Sequence, residues 1–158
     1  MSAKTDLART ADVASSANVE ALERIFGRLS QIFKHRIQQT ALEVHPDLRP
    51  AGLQVLRIVM RDDATTTVGD IVHETGMDKS VVSRQLRALK EWGLVTLTRS
   101  EDDGRVVVVR PTDFAVRRYE EVRERQRATY STALADWSPS DLAKLEELLA
   151  RLADIADA

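Results

Sequence analysis

Cysteine is absent from this chain. A disulfide framework, a cysteine-ligated zinc site and thiol-based redox sensing within it are therefore excluded. Aromatic residues are scarce, at 4% of the 158 positions. The apolar content is instead mostly Leu, Val, Ile and Ala, a mixture that suits helices and a short hairpin. No apolar run approaches the ~18 residues needed to span a membrane. The stretch from Met1 to Asn18 is polar and has no apolar signal core. These absences lead to the expectation of a cytoplasmic protein with no membrane partner. What is present supports a folded core, since 43% of the residues are hydrophobic.

Excess charge of one sign is also missing. The net charge is −2, which by itself speaks against a nucleic-acid binder, but its distribution is uneven. Between Gly76 and Arg110 lie Lys79, Arg84, Arg87, Lys90, Arg99, Arg105 and Arg110, against Asp78, Glu91, Glu101, Asp102 and Asp103. From Asp136 onward the acids Asp136, Asp141, Glu146, Glu147, Asp154 and Asp157 face only Lys144 and Arg151. A polyanion responds to the local field, so this distribution matters more than the sum.

The first ~15 residues carry no period and are expected to fray. From Val19, apolar residues recur at three- and four-residue steps: Leu22, Ile25, Phe26, Leu29, Ile32, Phe33 and Ile37. The stripe fits an ordinary core helix, or a helix buried in part against a second subunit. Pro46 and Pro50 bracket a connection, and Pro50 suits the first position of a second helix. Leu48 and Leu53 would staple that helix, and Leu53, Leu56, Val59 and Met60 would form its buried face. Asp62 to Thr66 reads as a turn.

Thr67 to Gly93 is the informative stretch. Thr67 is placed to cap a short helix through Thr75, which Gly76 ends by adopting positive φ. Asp78 is placed to cap the next helix with its side chain. Val82, Leu86 and Leu89 would be buried, and Gly93 ends the helix. Two short helices joined by a tight glycine turn form a helix-turn-helix. Leu94 to Arg99 and Arg105 to Val109 then read as strands, with Asp103-Gly104 as a two-residue turn. A ribbon at this place is a wing.

The face of the second helix opposite Val82, Leu86 and Leu89 presents Ser80, Ser83, Arg84 and Arg87, with Lys79 on one flank. Guanidinium and hydroxyl groups near a helix N-terminus suit the major groove of double-stranded DNA, where Arg pairs with two acceptors of guanine. Arg105, held at the wing tip, suits a narrow minor groove. Asp102 and Asp103 are expected to shape the turn or to pair with Arg99 or Arg105. The candidate DNA-binding set is thus Lys79, Ser80, Ser83, Arg84, Arg87, Arg99 and Arg105. A merely solvated charged face is the plainer reading, and the adjoining glycine turn and wing weigh against it.

Beyond the wing, Thr112 is placed to cap a long Arg- and Glu-rich helix with a loose stripe of Ala115, Tyr119, Val122, Thr129, Ala133 and Trp137. Ser138-Pro139-Ser140-Asp141 starts a last helix, whose Leu142, Leu145, Leu148, Leu149, Leu152 and Ile155 form the cleanest amphipathic face in the chain. The histidines, His35, His45 and His73, share no metal-binding spacing. No phosphate loop, nucleophile elbow or His-carboxylate set is apparent. An enzyme reading therefore has no residues to rest on, and no cofactor or metal is expected.

The segment from Gly76 to Thr112 resembles the MarR family of bacterial regulators. The run Asp78 to Arg84 is similar to that family's recognition helix. Gly93-Leu94-Val95, the Asp-x-Arg of Asp103 and Arg105, and Thr112 seven residues beyond are similar to its wing. Pro111 and Ala115 depart from the family pattern and bear on the local strand-to-helix geometry. The resemblance implies a mainly α fold: a winged helix-turn-helix with a small β-hairpin wing and a helical dimerisation region. It implies a homodimer on an inverted DNA repeat, and a repressor relieved by a small aromatic or anionic effector whose pocket residues are unknown. The expected organisation is a flexible segment over 1–17, a dimerisation helix over 18–45, the DNA-binding domain over 46–111 and dimerisation helices over 112–158. A winged-helix module that binds protein and not DNA is the alternative. The basic outward face discriminates, because a protein-binding face more often shows apolar anchors.

Overall fold

The apolar period that begins near Val19 folds as one helix, α1 (Ser16–Val44), in a computed structural model that describes residues 16–61, 66–100 and 103–156. The expectation for residues 1–17 lies almost wholly outside this range, as do the readings for Asp62 to Thr65, for Asp102 and for the Ile155 side chain. The elements that follow are α2 (Pro50–Val59), β1 (Thr66–Thr67), α3 (Val68–Thr75), α4 (Lys79–Glu91), β2 (Val95–Arg99), β3 (Val107–Pro111), α5 (Asp113–Ala133) and α6 (Pro139–Ala156). The chain divides into two compact units at Val116 and Arg117. The sequence placed a boundary at the end of the wing, five residues earlier. Phe114 to Val116 stay with the first unit because the first turn of α5 is tied to the sheet by Thr112. Its hydroxyl donates to Gly93 O at 2.7 Å and accepts from Ala115 N–H at 3.1 Å.

In the first unit, the end of α1 and the connection after it bury Ala41, Val44 and Leu48. Helix α2 buries Leu53, Val55, Leu56, Ile58 and Val59, α3 buries Ile71, and α4 buries Val82, Leu86 and Leu89. Leu94, Val95, Val108 and Val109 close the core from the sheet. Each buried Val, Leu or Ile among them contributes ~1.5–3 kcal/mol by leaving water. Met60, expected on the buried face, is only half-buried because it already stands past the last turn of α2. Pro50 opens α2 as expected. Gly52 allows close approach: a Cβ there would meet Leu48 Cδ1 at 2.8 Å and Gln85 Oε1 of α4 at 2.9 Å.

Both helix stops hold. Gly76 caps α3 at φ 64°. Gly93 follows α4 at φ 69°. There, Leu94 N–H donates to Leu89 O and Gly93 N–H to Lys90 O, the double bond of a Schellman stop. An L side chain in this region costs ~1–2 kcal/mol. Gly76→Ala and Gly93→Ala should therefore each lower unfolding stability by about that amount, read as a lower denaturant midpoint with an unchanged slope. An unshifted midpoint would mean that the turn does not need the left-handed conformation.

The sheet corrects the expected wing in two ways. It has three antiparallel strands in the order β1-β3-β2, with Thr66 and Thr67 of β1 opposite Val109 and Val108. Thr66, read as part of a turn, is thus a strand residue: the two threonines can use the free edge of β3. Strands β2 and β3 pair from Val95↔Pro111 to Arg99↔Val107, so the tip lies beyond Arg99 and Val107 and Asp103-Gly104 is not a two-residue hairpin turn. The turn that forms is Asp103 to Val106, closed by Val106 N–H donating to Asp103 O at 2.9 Å, while Ser100 N–H donates to Val106 O. Pro111 is tolerated because it lies beyond Val109, the last residue that β1 covers.

In the second unit, Ser138 caps α6 as expected. Its hydroxyl accepts from Asp141 N–H at 3.1 Å and donates to Asp141 Oδ2 at 2.6 Å. The stripe on α5 is narrower than expected. Val122 is buried, but Thr129, Ala133 and Trp137 are exposed. The face of α6 lies open to solvent at Leu145, Leu148, Leu149 and Leu152. The stripe of α1 is open likewise at Val19, Leu22, Ile25, Phe26, Ile32 and Phe33.

Candidate nucleic-acid interface

The site begins with how α3 and α4 are held. Thr67 caps α3 in a reciprocal box: its hydroxyl accepts from Asp70 N–H at 3.2 Å, and Asp70 Oδ2 accepts from Thr67 N–H at 2.9 Å. The Thr67 hydroxyl also donates to the same carboxylate at 2.7 Å. That side-chain bond first, and the backbone bond second, hold the Asp70 carboxyl below its ordinary value of 3.8. A depressed folded value favours the fold at pH above 3.8, and the benefit fades as pH falls through the folded value. Asp70→Asn should thus narrow the stability difference between pH 6 and pH 3 in urea titrations. An unchanged difference would remove Asp70 from the acid response.

Asp78 precedes α4 as expected, but its side chain caps nothing. Its carbonyl accepts from Val81 and Val82 N–H at 2.9 and 3.0 Å, which leaves the exposed carboxylate to water. Burial of Val82, Leu86 and Leu89 fixes the rotation of α4. At about 100° per residue, the opposite face carries Ser80, Ser83, Arg84 and Arg87, all exposed, with Lys79 exposed at the first position. Arg99 is exposed at the end of β2, and Arg105 at the tip. Asp103 shapes the tip by accepting from the Arg105 backbone N–H at 2.9 Å. It thus orients the Arg105 backbone, whereas pairing with the guanidinium was the other expectation.

Among the described residues, Lys79, Arg84, Arg87, Arg99 and Arg105 form no salt bridge. Several cations of the second unit do: Arg118 with Glu121, Arg127 with Glu124, and Lys144 with Glu147. Unpaired cations keep their full field for an approaching anion.

The fold brings three of the seven candidates together. Lys79, Ser83 and Arg105 line one cleft of about 430 Å³ between the start of α3, the start of α4 and the tip end of the wing. Val68, Val72 and Val107 give it apolar walls, and Thr67 adds a hydroxyl. Ser80, Arg84 and Arg87 lie outside it on the exposed face of α4, and Arg99 is outside it on β2. Thr67 was not among the sequence candidates for this face. Its signal was the Thr67-x-x-Asp70 spacing, which reads as a cap and also places β1 beside the wing. The described residues contain no group of three His, Asp or Glu side chains able to hold a metal ion, and no described helix is long and apolar enough to cross a membrane.

Solved structures share this architecture. A MarR family protein from Bacillus stearothermophilus superposes with a TM-score of 0.75 at 20% identity, over 91% of this chain and 99% of that one. FabT from Streptococcus pneumoniae, solved in complex with DNA, gives 0.72 at 18% identity, over 86% of this chain and 97% of that one. In sequence, the uncharacterised HTH-type transcriptional regulator YdgJ of Bacillus subtilis (strain 168) is 27% identical over 100 residues. That match covers 63% of this chain and 60% of the relative's length. The segment 47–106, which carries α2, β1, α3, α4 and β2, matches the model of the MarR family.

Proposed function

We propose that this protein is a sequence-specific, double-stranded DNA-binding transcriptional regulator acting as a homodimer on an inverted repeat. The observation that carries this reading is the unpaired cationic face of α4 and the wing. Ser80, Ser83, Arg84 and Arg87 address the major groove, Arg105 the adjacent minor groove, and Lys79 and Arg99 the phosphates. A protein-binding wing would show apolar anchors. The large exposed apolar residues lie instead on α1, α5, α6 and the segment joining α5 to α6. Residues 18–45 and 112–158 would supply the subunit interface, since exposed leucine and phenylalanine faces of this extent are a hazard on a monomer.

In this reading the protein represses, and a small aromatic or anionic effector relieves repression. DNA affinity is the test. The wild-type chain should select a sequence from a randomised duplex pool, with affinity falling steeply with salt as bound cations displace counterions. Equal affinity for selected and random duplexes would reject it. Aromatic acids that raise the melting temperature and release the selected duplex would support effector relief. Acids that do neither would count against it.

A further inference from the structure

His45 and Trp92 form a stacked pair outside the outward face of α4, with ring centroids 4.6 Å apart and planes 18° from parallel. His45 is the first residue after α1, and Trp92 is the cap residue of α4. Both rings are half-buried. Each stands on a backbone that is itself tied down. His45 N–H donates to Ala41 O, and its carbonyl accepts from Leu48 N–H, both at 3.0 Å. Trp92 N–H donates to Ala88 O at 3.0 Å, immediately before the double bond at Gly93 and Leu94. The imidazole cannot swing freely either, because Asp47 N–H donates to its Nδ1 at 3.2 Å. That bond leaves Nδ1 as an acceptor and puts the proton of the neutral ring on Nε2. Elsewhere α1 reaches α4 chiefly by way of α2, which packs on both. The stacked rings are therefore a direct strut between the helix with the long exposed apolar stripe and the helix with the candidate DNA face.

We propose that the His45–Trp92 stack is a positioning contact: it fixes the orientation of α4 relative to α1, so that DNA affinity depends on two rings outside the candidate DNA face. The inference rests on the DNA-binding reading above. A tilt of α4 by a few degrees would move Arg84 and Arg87 off a fixed geometry while leaving their chemistry unchanged. Planar stacking, more than polarity at position 45, supplies the restraint.

The test uses the full chain with His45→Ala, Trp92→Leu and His45→Phe, and a duplex selected by the wild-type protein. His45→Ala and Trp92→Leu should lower affinity for that duplex about three- to tenfold, lower the preference for it over random duplex, and speed amide exchange in the last turn of α4. Mass by light scattering should not change. His45→Phe keeps a planar ring and should restore affinity, preference and exchange together. A contact that matters only for stability would lower the melting temperature and leave the preference intact. That result would overturn the proposal, as would wild-type binding by His45→Ala or a His45→Phe protein no better than His45→Ala. A wild-type chain that selects no duplex would overturn the DNA-binding reading and the positioning claim together. Failure of the variants to differ from a wild type that does bind would overturn the positioning claim alone.

Discussion

Leu149→Glu should yield a folded monomer that binds its selected duplex at least a hundredfold more weakly than the wild type. Leu149 is 50% exposed on α6, so in the isolated chain the carboxylate stays in water and the fold loses little. In a subunit interface formed by this face, the same carboxylate would be buried without a partner, at a cost of several kcal/mol. Loss of the dimer removes the second half-site contact, and linked binding of two sites contributes ~10²–10⁴ in affinity. Light scattering gives the mass, far-ultraviolet circular dichroism checks the fold, and a titration gives the affinity. A dimeric Leu149→Glu protein with wild-type affinity would place the interface elsewhere.

Arg84→Ala and Arg105→Ala should separate the two DNA elements. Arg84 projects from the exposed face of α4 and forms no salt bridge among the described residues. If it pairs with guanine, its removal should weaken the selected duplex by ~1–3 kcal/mol per half-site and random duplex far less. Arg105 sits at the tip, where Asp103 fixes its backbone. If it reads groove width and not a base edge, its removal should weaken binding by an amount that follows the A·T content beneath the wing. Both variants should stay folded and dimeric, since neither side chain is buried. Binding to selected, base-substituted and random duplexes at one salt concentration measures this. Wild-type affinity in the Arg84 variant would remove it from base recognition, and wild-type affinity in both would reject the docking geometry.

The helices were legible in the sequence because period and caps agreed locally. Pro50, Thr67, Gly76, Gly93, Thr112 and Ser138 each stand at the terminus they signalled, and Val82, Leu86 and Leu89 face inward as spaced. What escaped depended on partners distant in sequence. A two-residue strand such as Thr66–Thr67 has no period to detect and exists only because β3 offers it an edge. The wing tip was misread because Asp103-Gly104 is a strong turn signal wherever it falls, while the register is set by Val95 and Leu97 meeting Pro111 and Val109. Asp78 has the right chemistry for a cap, but the backbone carbonyl alone takes that part. For the site, the exposed face of α4 followed from its buried stripe. The meeting of Lys79, Ser83 and Arg105 in one cleft did not, because residues 83 and 105 become neighbours only once the wing folds back.

The reading of this chain as a dimeric DNA-binding regulator is tested most directly by footprinting the full-length protein on a duplex it has selected, with stoichiometry measured on the same complex. The account predicts two chains per duplex and a two-fold symmetric footprint whose half-sites are ~10 base pairs apart, centre to centre. One chain on a single asymmetric half-site, or protection that does not distinguish the selected duplex from random sequence, would contradict it.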